Sequence, residues 1–243
     1  MSNWKWPEFL KTRAGKILFR AGVVLVGVLL LLLIAYSAAS VRPGFYRRFE
    51  SVPQAERKKL NDEFKTQVLA TYAQVQESDK QKSDKWSLNI TDRQMNGWLS
   101  VDGASGMFQI LPKEIKSPRL AVRGDQIEIA APFTYRFKYR SFSATAYLSG
   151  SIQVPEPGVI SIRFRSARLG VYPFDKEQLV TMVKGELDKS DWEPEQTTEG
   201  GDPVLSFRPK IIIDKKFALT VESFQTDDEG RCLISGKVAK VKR

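Results

Sequence analysis

The sequence predicts an α+β domain hung from an N-terminal transmembrane helix: an amphipathic helix, then a curved antiparallel sheet packed on helices. Three observations carry this. Residues 21–39 (AGVVLVGVLLLLLIAYSAA) hold no charge. Residues 51–76 repeat their apolar positions at helical spacing, and most of the chain from residue 117 onward alternates with period two.

At about 1.5 Å per residue the uncharged run spans roughly 28 Å, close to the hydrocarbon thickness of a bilayer. It is apolar on every side, which a core helix of a small domain is not. Ser37-Ala38-Ala39 would also suit a signal peptidase, and Lys11, Arg13, Lys16 and Arg20 would suit the positive segment ahead of its cut. The length of that basic segment and of the apolar run favours an uncleaved single-pass anchor. Lys5, Lys11, Arg13, Lys16 and Arg20 precede the run, whereas Arg42, Arg47 and Arg48 follow it. The excess on the first side orients residues 1–20 to the cytoplasm and the bulk outside it, in the periplasm if the cell is Gram-negative.

Residues 40–85 read as an amphipathic helix and a connector. Ser51 is the expected cap, Pro53 lies in the first turn, and Leu60, Phe64, Val68, Tyr72 and Val75 form one face. Glu77 to Lys85 is expected to be a solvated connector. Residues 86–243 form the α+β domain. Trp86 to Ile90 is a short strand, and Thr91-x-x-Gln94 is a capping box opening a helix on which Met95, Trp98 and Leu99 share a face.

Leu120 and Val122, a turn at Gly124-Asp125, then Ile127, Ile129 and Ala131 read as a hairpin. The odd positions continue as Phe133, Tyr135, Phe137 and Tyr139, with Arg136, Lys138 and Arg140 between them, giving one aromatic and one cationic face. After Ser141 the apolar set shifts to Phe142, Ala144, Ala146 and Leu148, so a turn or bulge is expected near Arg140-Ser141. Pro155 to Gly158 makes the next turn, before a strand containing Ile160, Ile162 and Phe164. Asp175 caps a helix with Gln178 as its capping-box partner and Leu179, Met182, Val183 and Leu187 as its buried stripe. Residues 188–203 read as an acidic loop, and strands follow at 204–207, 211–213, 217–224 and 232–241.

Composition narrows the chemistry. The 243 residues include no histidine and one cysteine, so Ser-His-Asp triads, His-ligated metals and Cys-cluster zinc sites are excluded. No phosphate-cradling or nucleophile-elbow motif occurs. The acidic triplet Asp227-Asp228-Glu229 precedes Gly230, where a turn explains it. No catalytic residue, metal or cofactor is therefore assigned, and the chain is not expected to be an enzyme. Beyond residue 39, 33 Lys/Arg and 27 Asp/Glu leave a net charge of +6. Arg136, Lys138, Arg140, Arg163, Arg165 and Arg168 are its notable cations. Nucleic acid is discounted as a partner because the anchor places the domain outside the cytoplasm.

Leu88-Asn-Ile-Thr-Asp-Arg-Gln-Met-Asn-Gly-Trp-Leu99 resembles the opening segment of the YpmS-like and YceB-like bacterial membrane-anchored proteins. Ser166-Ala-Arg-Leu-Gly-Val-Tyr-Pro-Phe174 is similar to their strand-to-helix step, and Phe217–Val221 with Leu233–Gly236 to their closing strands. That resemblance implies a fold like the tubular lipid-binding superfamily, with a lipid or other hydrophobic ligand between sheet and helix. The chain departs from it in lacking a lipoprotein cysteine and in carrying the acidic stretch 188–203.

The reading at this point is a single-pass anchored extracytoplasmic domain that binds a lipid or other hydrophobic ligand without catalysis. Phe133, Tyr135, Phe137 and Tyr139 would meet the ligand, and Arg136, Lys138 and Arg140 anionic headgroups. The alternative is an envelope scaffold or assembly protein acting through protein–protein contacts.

Overall fold

Two antiparallel sheets carry the fold, and helices lie where several of their edges would otherwise face water. The computed structural model describes residues 28, 30, 37–81, 84–101, 117–137, 140–214 and 216–241. Helices α1 (Gly44–Glu50) and α2 (Gln54–Gln81) come first, followed by β1 (Lys85–Thr91), α3 (Asp92–Val101) and β2 (Arg119–Arg123). Then come β3 (Gln126–Phe137), β4 (Arg140–Glu156), β5 (Val159–Leu169), the short β6 (Tyr172–Pro173) and α4 (Lys176–Leu187). The chain closes with β7 (Glu195–Glu199), β8 (Asp202–Phe207), β9 (Ile211–Ile213), β10 (Phe217–Thr226) and β11 (Arg231–Lys240).

One sheet runs β1-β11-β10-β9 and the other β2-β3-β4-β5-β8-β7, with β6 beside β5. The architecture is α+β with an antiparallel sheet curled into a half-barrel. The predicted anchor 21–39 lies almost wholly outside the described residues, as do residues 1–20. Residues 28, 30 and 37–39 have helical backbone. Among the described residues no helix is long and apolar enough to cross a membrane.

Several boundaries differ from the sequence reading, each for a local reason. Ser51 does not start α2; it ends α1, and its hydroxyl donates to Arg48 O at 2.7 Å. Pro53 stands at the cap position instead, with Arg57 N donating to its carbonyl at 3.0 Å. The helix continues through the expected connector to Gln81. On its apolar face Leu60 and Val75 are buried and Phe64 stacks on Trp98 at 5.2 Å, but Val68 is exposed. The Thr91–Gln94 capping box forms in both directions, at 3.2 and 2.9 Å.

In α4 the Asp175 carboxylate bonds the amide of Glu177 at 2.9 Å, not that of Gln178. Val180 is its fully buried residue, whereas Met182 faces out. The acidic stretch 188–203 is not a loop. After a run of turns it forms β7 and the start of β8, joined through Gly200 and Gly201 at positive φ. The acidity is consistent with a solvated edge strand, because every residue of β7 is exposed and charged side chains discourage further pairing.

Cores form where the layers meet. Phe164, Val180, Leu205 and Phe207 pack α4 on the second sheet, while Ile90, Val122 and Cys232 join the two sheets. Burying each such side chain stabilises by about 1.5–3 kcal/mol. Gly97 is needed where α3 crosses α2, because a Cβ there would lie 2.6 Å from Leu60 Cβ and 2.9 Å from Asn61 N.

A polar device completes the join. Asn96, 4 % exposed, donates its amide to Leu120 O at 2.6 Å and accepts from Leu120 N at 2.9 Å. One turn earlier on α3, Asp92 accepts from Val122 N at 3.4 Å. Two side chains at i and i+4 thus occupy the edge of β2 as a strand would. On the other sheet, Thr71 and Gln74 of α2 bond Ser87 of β1 in the same way. Asn96→Ala leaves both half-buried Leu120 backbone groups without these partners, so a loss of about 1–3 kcal/mol in urea unfolding is expected. A change under about 0.5 kcal/mol, the size usual for a surface substitution, would contradict the edge-cap assignment.

Candidate functional site

The β3–β4 hairpin outruns its neighbours. The β2 ladder stops at Arg119 opposite Ala130, and the β5 ladder stops at Leu169 opposite Ala146. Pairing between β3 and β4 continues to Phe137 opposite Arg140. Pro132 has no amide to offer a further strand and lies two residues past the end of the β2 ladder. Residues 132–137 and 140–145 therefore form a two-stranded ribbon, flanked by no other strand among the described residues. At about 3.3 Å per residue it extends roughly 20 Å.

Of the sequence-predicted binding residues, Phe133, Tyr135, Arg136, Phe137 and Arg140 fall on this ribbon. Lys138 and Tyr139 lie outside the described residues. For Phe133, Tyr135, Arg136, Phe137 and Arg140 the backbone gives a register and nothing further. Phe133 stands opposite Ala144, Tyr135 opposite Phe142, and Phe137 opposite Arg140, all on one side. Thr134 opposite Ser143 and Arg136 opposite Ser141 fall on the other.

The apolar set changes parity because β3 ends at Phe137 and already pairs there with Arg140, ahead of the expected turn or bulge at Arg140-Ser141. In this register odd positions of β3 face even positions of β4. The same register separates Arg136 from Arg140, which do not share a face. The remaining predicted cations lie elsewhere. Arg163 pairs with Asp202 at 3.2 Å and Glu199 at 3.7 Å, and Arg165 with Asp125 at 2.5 Å. Arg168 stacks over Tyr147 at 4.1 Å.

At the base of the ribbon the end of the uncharged run is built into the fold. Val171 N donates to Ala38 O at 3.1 Å, Gly170 N to Thr145 O at 2.7 Å, and Ser40 Oγ to Ser143 O at 3.1 Å. Ala39 is 5 % exposed. Gly170 has φ +62°, and a Cβ there would lie 2.1 Å from Ala38 O. Only glycine satisfies both the turn and the contact. Val171 and Tyr172, beside this junction, are exposed.

From there the chain crosses the sheet into α1, where Phe45 and Tyr46 pack on Ala121, Ala130 and Tyr147. Tyr46 OH donates to Ser117 O at 3.1 Å, and burial pushes its pKa up. Arg119, 4 % exposed, lies under Phe49 at 5.2 Å and donates to Pro118 O; burial lowers its pKa.

A recess of about 710 Å³ opens between α1, α3, the edge of β2 and the β10–β11 turn. Burial raises the pKa of Asp92 within it. That carboxylate is engaged by Val122 N, while Arg93 pairs with Glu56 at 2.5 Å and Arg123 with Glu128 at 3.8 Å. Asp227 is occupied in the turn, accepting from the amides of Glu229 and Arg231 and from the Arg231 side chain. These contacts place the recess at a seam between layers. Among the described residues no group of three His, Cys, Asp or Glu could hold a metal ion.

No protein-family model, curated protein or solved structure matches this chain.

The sequence reading missed Asn96, Gly170 and Asp202. Gly170 was visible as the glycine closing a strand before Val-Tyr-Pro, but its partner Ala38, far away in the chain, was not. Gly170→Ala should release residues 38–41, seen as new proteinase K cleavage there in the detergent-solubilised full chain. Unchanged resistance would contradict the docking.

Proposed function

We propose that this chain is a single-pass membrane-anchored extracytoplasmic domain that binds membrane lipid and catalyses no reaction. One observation carries the reading: Ala38, near the end of the uncharged run, is hydrogen-bonded to Val171 in the β5–β6 turn, and Ser40 just beyond the run to Ser143 of β4. A membrane segment ending at residue 39 would then be joined to the domain with no slack between them. The aromatic and basic hairpin would stand beside the bilayer.

The composition of the hairpin supports the same reading. Phe133, Tyr135, Phe137 and Tyr139 are residue types that favour the membrane interface, where an apolar ring meets water and headgroups. Arg136, Lys138 and Arg140 would attract anionic headgroups, each by about 1 kcal/mol near the surface. The packing of Phe164, Val180, Leu205 and Phe207 between α4 and its sheet favours contact at the hairpin over a ligand held beneath that helix. The orientation, with residues 1–20 cytoplasmic, rests on the distribution of Lys and Arg alone.

The test is the lipid that accompanies the full chain from membranes into nanodiscs, identified by mass spectrometry. Phosphatidylglycerol should be enriched around the protein relative to the bulk. The triple substitution R136E/K138E/R140E should reduce that enrichment at least tenfold, since three interactions of about 1 kcal/mol are removed. Equal lipid composition for both proteins would sink the headgroup role and turn attention to an envelope assembly protein.

A further inference from the structure

We infer that the outer part of the ribbon, residues 133–137 and 140–144, is an interfacial hairpin, lying in the headgroup layer of the bilayer that residues 21–39 enter. This rests on the anchored reading above and goes further, by placing the ribbon within the leaflet, flat in a headgroup layer containing anionic phospholipid, and not only beside it.

Four observations converge. A two-stranded ribbon with no third strand is marginal in water, so a ribbon of this length calls for a covering surface. Pro132 removes one amide from the outer edge of β3, which disfavours another strand as that cover. The ribbon flanks the end of the uncharged run: Ser143 within it accepts from Ser40, and the adjoining Thr145 accepts from Gly170, whose neighbour Val171 bonds Ala38. Whatever surrounds the run at residue 39 is therefore within reach of the ribbon. Finally, the exposed Val171 and Tyr172 continue the apolar surface beside that junction.

The register suits a flat interfacial pose. Positions 133, 135, 137 and 142 are all aromatic and share one side with Arg140 at the outer end and with the buried Ala144 at the foot. Positions 134, 136, 141 and 143 share the other, as Thr, Arg, Ser and Ser. An apolar side and a polar side on one ribbon is the pattern of an element lying at an interface. Arg136 and Arg140 set the depth, because a cation is costly in the hydrocarbon centre. The ribbon thus stays at headgroup level.

The experiment uses the full chain in vesicles of equal parts phosphatidylcholine and phosphatidylglycerol, with a nitroxide on Tyr135→Cys. Cys232 need not be removed, since it is 2 % exposed and burial pushes its thiol up to about 12, away from the reactive thiolate. A label on Gln196→Cys, in the exposed strand β7, reports water. Power saturation by oxygen and by a water-soluble nickel chelate is then compared at the two sites.

The oxygen-to-nickel accessibility ratio should be several-fold higher at residue 135 than at 196. Phe133→Cys, on the same side of the ribbon, reads the same quantity if the first variant does not fold. Equal ratios at the two sites, or low accessibility to both reagents at 135 as inside a packed core, would overturn the inference. Flotation of the same sample after alkaline washing separates the two readings. A chain that stays with lipid but shows a water-exposed ribbon loses only the hairpin assignment. A chain washed off the vesicles loses both.

Discussion

The junction at residues 38–40 is the constraint from which the functional account follows. Two hydrogen bonds tie it down, from Val171 N to Ala38 O and from Ser40 Oγ to Ser143 O, with Gly170, itself bonded to Thr145 O, supplying the space for Ala38. Their effect is less on stability than on geometry. A flexible tether would let a domain face any direction, whereas a docked one fixes which end of the sheet meets the tethering segment. Here that end carries the ribbon. The same crossing segment leads into α1, whose Phe45 and Tyr46 cover the small residues Ala121 and Ala130 at the foot of the ribbon.

The rest of the fold shows how the chain treats its open edges. Asn96 and Asp92 occupy the edge of β2, and Thr71 and Gln74 that of β1. The outer strand β7 is exposed and acidic, and β9 is only three residues long. Each is a recognised way to keep a sheet from pairing with another chain. The ribbon is treated differently: it is long and aromatic on one side, with Pro132 at one edge and Ser143 held by Ser40 at the other. Under the proposed reading the headgroup layer takes the place of such a cover.

Local rules made much of this legible in the sequence. The Thr91 capping box, the Gly124-Asp125 turn and the Pro155–Gly158 turn each depend on residues within a few positions of one another, and each forms as expected. Misreadings came where a distant partner decided the outcome. Ser51 offers the same hydroxyl to either helix, and α1 took it. Residues 195–199 look like a loop until β8 is present to pair with them, after which Asp202 bridges Arg163 and Lys176. Asn96 on α3 reads as an ordinary polar position, because nothing local reveals that the edge of β2 lies opposite.

The most direct test of the account is hydrogen exchange at the amide of Val171 in the full chain held in a lipid bilayer. If Ala38 O accepts from that amide as the account requires, exchange at Val171 will be slow, comparable to the paired strand amides of β5. Exchange as fast as in the exposed turn around Asp191 would mean that the segment does not dock. The hairpin would then have no fixed relation to the membrane.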